Sequence, residues 1–173
     1  LEVYALGAEY TASGQDMDIA GVKNSAQVSY SFNDENTIEA SLDTDWNSVK
    51  NIEVSSTQSG HVTIDNFVQA DVDLGAGGDS TVVIDGAKRG NVTTADGHDT
   101  IQLHAQSNGA GWGNGFNIST AAGDDKVNVN GDKHHTIFHI DAGDGADHVT
   151  IGGEYAESYV DLGEGNDVFH GSS

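Results

Sequence analysis

The sequence predicts an all-β fold, a parallel β-roll or β-helix-like solenoid whose rungs turn along one glycine-rich edge. Three observations predict it. A heptapeptide recurs five times, as DLGAGGD (Asp73 to Asp79), TTADGHD (Thr93 to Asp99), STAAGDD (Ser119 to Asp125), DAGDGAD (Asp141 to Asp147) and DLGEGND (Asp161 to Asp167). The closing aspartates lie 20, 26, 22 and 20 residues apart, a period that marks stacked repeats. Apolar pairs spaced by two flank the copies, the signature of strands with one face buried.

Taken in chain order, residues 1–70 form a β-rich region expected to cap or extend the stack, because an open stack of strands needs its end covered. Within it, Val28 to Phe32 and Ile38 to Leu42 alternate on either side of Asn33-Asp34-Glu35-Asn36, which reads as a hairpin. The stretch from Asp45 to Val49, with Trp46, reads as a helical turn or a crossing loop, and His61 to Val68 as a further strand.

Residues 71–173 carry the repeats. Seven and five residues before each closing aspartate stand Val72/Leu74, Val92/Thr94, Ile118/Thr120, Ile140/Ala142 and Val160/Leu162. Two and four residues after it stand Ile101/Leu103, Val127/Val129 and Val149/Ile151, with Lys126, Asn128, His148 and Thr150 outward. Each period is therefore strand, glycine turn, strand and return, with apolar ladders at about 4.8 Å spacing. An antiparallel sandwich also uses short strands and glycine turns, but it does not require one heptapeptide at every second turn. The first copy is irregular: Thr81-Val82-Val83-Ile84 leaves its inward pair ambiguous, and a one-residue bulge is expected there.

Composition narrows the function. The 173 residues suit one continuous core. Twenty-eight acidic residues face six basic ones, a formal charge of −22, which excludes nucleic acid as a partner by phosphate repulsion. The same charge opposes folding unless cations neutralise it, so folding is expected to be coupled to metal. With no cysteine there is neither a disulfide nor a thiolate site. No apolar run predicts a membrane span and no signal-peptide pattern is present. The chain begins at Leu1 and is expected to be part of a larger polypeptide.

The turn chemistry points to calcium. Calcium takes six to eight oxygens at about 2.3–2.6 Å, backbone carbonyls as readily as carboxylates. Glycine tolerates the positive φ that aims carbonyls inward, and the aspartate adds an anionic oxygen. A metal-free type I′ or II′ turn would favour the same residues, but five-fold recurrence favours the metal. The turns resemble the hemolysin-type calcium-binding repeats of RTX proteins, with the nonapeptide G-G-x-G-x-D-x-U-x. The resemblance rests on Gly75, Gly77 and Asp79, on Gly143, Gly145 and Asp147, and on Gly163, Gly165 and Asp167. Gly97 with Asp99 and Gly123 with Asp125 match in part, since Ala95 and Ala121 replace the preceding glycine. It implies a β-roll, calcium held by these residues, secretion in one step and folding in extracellular calcium. The family repeats its motif on both sides of an 18-residue rung, whereas here only one side carries it.

The opposite edge is expected to present variable loops over 85–91, 104–116, 130–136 and 152–158. Lys88, Arg89 and Lys133 are three of the six basic residues, and Trp112, His134 and Tyr155 add ring surfaces. Rings and cations together suit an extracellular polysaccharide. The plainer alternative is that Trp112 plugs the end of a layer. Catalysis has weaker support: Asp124/Asp125 are explained by the turn, His135 and His139 share an outer strand face, and no spacing fixes an acid–base pair. The expected function is a non-catalytic calcium-binding module that binds carbohydrate or serves adhesion. A purely structural export and folding module, or a lyase- or epimerase-type domain, are the alternatives.

Overall fold

The computed structural model describes residues 10–13, 17–19, 27–32, 37–41, 51–57, 59–65, 67–75, 78–106, 114–132 and 136–172, and before residue 51 only the backbone path. Eighteen strands lie among them. They alternate between two eight-stranded sheets, all paired in parallel. The front sheet contains β1 (Tyr10–Ser13), β3 (Gln27–Phe32), β5 (Asn51–Ser56), β7 (Gln69–Leu74), β9 (Arg89–Thr93), β11 (Asn114–Ser119), β13 (Thr136–Asp141) and β16 (Glu157–Asp161), in that order. The back sheet contains β2 (Met17–Ile19), β4 (Thr37–Ser41), β6 (His61–Asp65), β8 (Thr81–Ala87), β10 (Thr100–Ala105), β12 (Lys126–Asp132), β15 (His148–Glu154) and β18 (Val168–Gly171). Two short strands, β14 (Asp144–Gly145) and β17 (Glu164–Gly165), pair within the glycine turns. The molecule is a two-sheet parallel solenoid, and no helix of the described residues is long and apolar enough to cross a membrane.

The core lies between the sheets and follows the period of two. Val92, Ile118 and Ile140 stack as neighbours in the front sheet, and Ile101, Val127 and Val149 in the back sheet, all nearly inaccessible. Phe116 stacks on Phe138 at 6.3 Å between ring centroids, beside Gly90, whose missing side chain leaves room in the column. A β-carbon at Gly90 would overlap the carbonyl oxygen of Ala70.

Two expectations change. The hairpin over residues 28–42 does not form: β3 pairs with β1 and β5, and β4 with β2 and β6, all in parallel. Alternation fixes which face is buried, but it is blind to whether the next strand pairs back or crosses to the other sheet. The described strands before residue 70 belong to the same two sheets as those after it, and β7 spans residues 69–74. The edge opposite the glycine turns is only partly looped. Lys88 alone joins β8 to β9, and Tyr155-Ala156 joins β15 to β16, because strand pairing continues into the expected loops. The segment from Asp45 to Val49, with Trp46, lies outside the described residues.

Truncating a fully buried aromatic tests this interior. Phe138→Ala is expected to destabilise the chain by about 3–5 kcal/mol, through lost burial and a residual cavity. Urea unfolding measures it, and a loss under 1 kcal/mol would mean the two sheets are not packed as described.

Candidate metal centre

The glycine turns stack into columns that the strand register defines. In the front sheet Val72 pairs with Val92, 20 residues on, but in the back sheet Val82 pairs with Ile101, 19 residues on. The first turn therefore holds one residue more than the others. It is not a bulge in the following strand: Val82 and Ile84 are the buried pair of β8, and the register shift in that strand lies further on, at Gly86. As a result Ser80, not Asp79, occupies the position of Asp99, and Asp79 matches His98. A β-carbon on Gly97 would crowd the carbonyl of Gly78, so Gly78 takes the position that motif counting gives to Gly77, which lies outside the described residues.

Two opposed ladders of backbone-to-side-chain bonds hold the turns together. In the inner one each N–H reaches the carboxylate of the next rung: Ser80 N to Asp99 Oδ1 (2.6 Å), Asp99 N to Asp125 Oδ1 (2.7 Å), Asp125 N to Asp147 Oδ1 (2.9 Å) and Asp147 N to Asp167 Oδ1 (3.0 Å). In the outer one the acceptor lies in the preceding rung: His98 N donates to Asp79 Oδ1 (2.9 Å), Asp124 N to His98 Nδ1 (3.0 Å) and Ala146 N to Asp124 Oδ1 (3.0 Å). His98 thus does the work of an aspartate, and its Nδ1 must be unprotonated to do it. Motif matching passes over Ser80, His98 and Asp124; aligning the strands instead of the heptapeptides would have found them.

Asp99, Asp125 and Asp147 are 1–2 % exposed. Each has Oδ1 bonded and Oδ2 buried without a hydrogen-bond partner. The hydroxyls of Thr94 and Thr120 stand close enough to Asp99 and Asp125 to oppose the upward shift of their carboxyls. Neither meets hydrogen-bond geometry at Oδ2: Thr120 donates to Ala142 O (2.9 Å), and Thr94 Oγ1 has no partner within that geometry. Burial pushes all three carboxyls above the ordinary aspartate range, and neighbouring negative charges add to the effect. For Asp125 burial, reinforced by Asp99 and Asp147, takes the value to about 6.

The glycines let the turn backbones approach one another. Gly97, Gly123, Gly145 and Gly165 have φ of 151°, 142°, 157° and 153°, and a β-carbon on Gly123 would overlap the carbonyl oxygen of Gly97. Gly143 and Gly163 are left-handed at 86° and 76°, and Ala121, in the same column, is forced to 66°. Ala121 keeps the turn its glycine counterparts make, whereas Ala95 does not enter the positive-φ region. Gly75 lies against the backbone of Thr57 in the rung before.

The donor set is all oxygen: turn carbonyls plus the second oxygens of Asp99, Asp125 and Asp147. Among the described residues no three His, Cys, Asp or Glu side chains converge on one point, so a cation here would draw on carbonyls with one or two carboxylates. That mixture is what a hard cation such as calcium accepts. The buried, unpartnered carboxylate oxygens fit it.

Of the residues expected to bind a ligand on the opposite edge, Lys88, Arg89 and Tyr155 are among the described ones. Lys88 donates its backbone N–H to Val68 O (3.0 Å), and Arg89 Nε donates to Gln69 Oε1 (3.0 Å) on the outer face of the front sheet. Tyr155 packs edge-on against Phe138 (6.1 Å) and donates its hydroxyl to Ser172 O (3.1 Å), covering the core. Trp112, Lys133, His134 and His135 lie outside the described residues.

Fold and turns together define a two-sheet β-solenoid with a ladder of buried carboxylates along one edge. No family model matches the chain, and neither a curated protein nor a solved structure does.

Two outcomes are expected. Ala121→Gly should stabilise the chain by about 1 kcal/mol, because glycine carries no left-handed penalty; a lower melting temperature would contradict the turn geometry. In chelator, stability should rise as pH falls from 7 to 5. Folded Asp125 binds its proton near 6 and the unfolded chain near the ordinary 3.8, so the penalty is complete above 6 and disappears as the folded carboxyl protonates. Chemical denaturation at several pH values reads this, and a flat or opposite trend would rule out an unpartnered buried carboxylate.

Proposed function

We propose that the chain is a non-catalytic, calcium-binding module of a larger extracellular protein, of the hemolysin type its turns resemble. The observation that carries it is the column of buried carboxylate oxygens without partners. A chain of net charge −22 has no reason to bury such groups unless something cationic meets them. Three acceptors left empty cost folding free energy, and a bound cation reverses the sign. Asp99, Asp125 and Asp147, with the carbonyls of the adjoining glycine turns, would hold it. Calcium supplies charge neutralisation between rungs, and binding to the folded state alone would couple folding to its concentration.

A non-catalytic role is supported by Asp124 and Asp125, the adjacent acids of the third turn. Asp125 points inward to Asp99 N and Asp124 outward to Ala146 N, so both are spent on the ladders and face opposite ways. For the module's service to its parent protein we propose carbohydrate binding or adhesion; the alternative is a structural part that drives export and folding with calcium as its only ligand. The edge residues expected to contact a glycan are partly committed to the fold, and another surface suits that role better.

Asp125→Asn tests the calcium reading through two opposite signs. The amide keeps an oxygen for Asp99 N and removes the buried charge. In chelator the variant should be more stable than the parent at pH 7, by about 1–3 kcal/mol with solvent screening of the carboxylate allowed for. In calcium it should bind the ion at least tenfold more weakly and lose that advantage. Calcium titrations followed by circular dichroism and melting, with magnesium as control, read both. Equal stability gains with and without calcium would remove the metal from the account.

A further inference from the structure

A groove of about 890 Å³ runs across four strands on the outer face of the front sheet. Its walls are two columns set by the register. One is Asn91, Asn117, His139 and Tyr159, and the other is Thr93, Ser119, Asp141 and Asp161. Successive rungs stand about 4.8 Å apart, so polar groups repeat along both walls at that interval.

The first wall is held in place before any ligand arrives. Asn91 Nδ2 donates to Asp71 Oδ1 (2.8 Å), and Asn117 Nδ2 donates to Asn91 Oδ1 (2.8 Å). Each amide thus spends one proton on the ladder and keeps a second for a ligand. His139 and Tyr159 stack at 4.7 Å with planes 11° apart. Tyr159 lines the same wall and is 52 % exposed.

We propose that this groove binds an uncharged, linear polysaccharide lying across the strands. The inference rests on the reading of the chain as a carbohydrate-binding module and not on the calcium reading. Amides, hydroxyls and carboxylates at a regular interval match a polymer whose every unit both donates and accepts hydrogen bonds, and the ring of Tyr159 suits an apolar sugar face. Charge selects among glycans. Asp141 and Asp161 stand in the groove wall, while the nearest cation among the described residues, Arg89, adjoins it beyond Asn91 and is bonded to Gln69 Oε1, so uronate polymers are disfavoured. A protein partner would need a deep pocket for a buried apolar anchor, and this shallow trough offers none.

The test uses the full chain in saturating calcium at physiological salt, with circular dichroism confirming β-structure. Calorimetry is run against uncharged hexasaccharides (β-1,4-linked glucose, mannose, xylose and N-acetylglucosamine), a galacturonate hexamer and a glucosamine hexamer. At least one uncharged hexamer should bind and the galacturonate hexamer should not. Asn117→Ala and Tyr159→Ala should each weaken binding at least tenfold with unchanged melting temperature, while Gln102→Ala, on the outer face of the back sheet, should change nothing. Binding indifferent to both groove variants would overturn the groove and leave the module reading standing. Absence of binding by every uncharged hexamer would overturn both, as would salt-sensitive binding of the glucosamine hexamer alone. A failure of the calcium reading would show instead in the dichroism and melting with chelator.

Discussion

The constraint on which this structure depends is the inner carboxylate ladder. Each rung offers its N–H to the aspartate of the next, from Ser80 to Asp167, and those bonds fix the turns at the separation that the sheets impose. Placing aspartate there rather than asparagine leaves a charge and an unsatisfied oxygen on each of three buried residues. Backbone N–H groups stabilise the carboxylates but do not satisfy them, which is why burial outweighs the hydrogen bonds and the carboxyls are shifted upward. Hydrogen bonding explains the order of the ladder, and the leftover charge is what the proposed cation would neutralise.

The glycines follow from the same spacing. Turns stacked one rung apart bring the carbonyl of one over the α-carbon of the next, where a side chain would collide. The turn edge meets this at rung after rung, so glycine is concentrated there while the sheets carry Val, Ile, Leu and Phe; Gly90 in the front sheet and Gly131 and Gly153 at the opposite edge meet the same constraint singly. Ala121 shows the rule by breaking it: neighbouring turns hold it left-handed, so the tertiary context overrides its local preference. The outward faces are under no such restriction. There the stacking of like residues produces the Asn91–Asn117 ladder and the His139–Tyr159 pair as by-products of register, available for binding.

Much of the fold was legible in advance. The inward pairs Val92/Thr94, Ile118/Thr120 and Ile140/Ala142 are buried as their spacing requires, and the parallel stack follows from the recurring turn. Less of the site was. Matching heptapeptides aligned Asp79 with Asp99, yet the extra residue between Asp73 and Thr81 moves Asp79 to the outer ladder beside His98. Motif similarity follows residue identity, but the register obeys backbone pairing, and the two diverge wherever one turn is longer.

The sequence by itself determined the period, the buried face of each strand and the edge where glycine and aspartate gather, because these depend on local spacing and on whether a residue tolerates water. Only the tertiary structure decided which strands pair, that Tyr155 packs edge-on against Phe138, and that Asn91, Asn117, His139 and Tyr159 share one wall. These depend on offsets of 20, 22 and 26 residues between neighbouring strands, set by loops of unequal length. Residues far apart in the chain become neighbours only through hydrogen bonds across the sheet, and no local pattern encodes that distance.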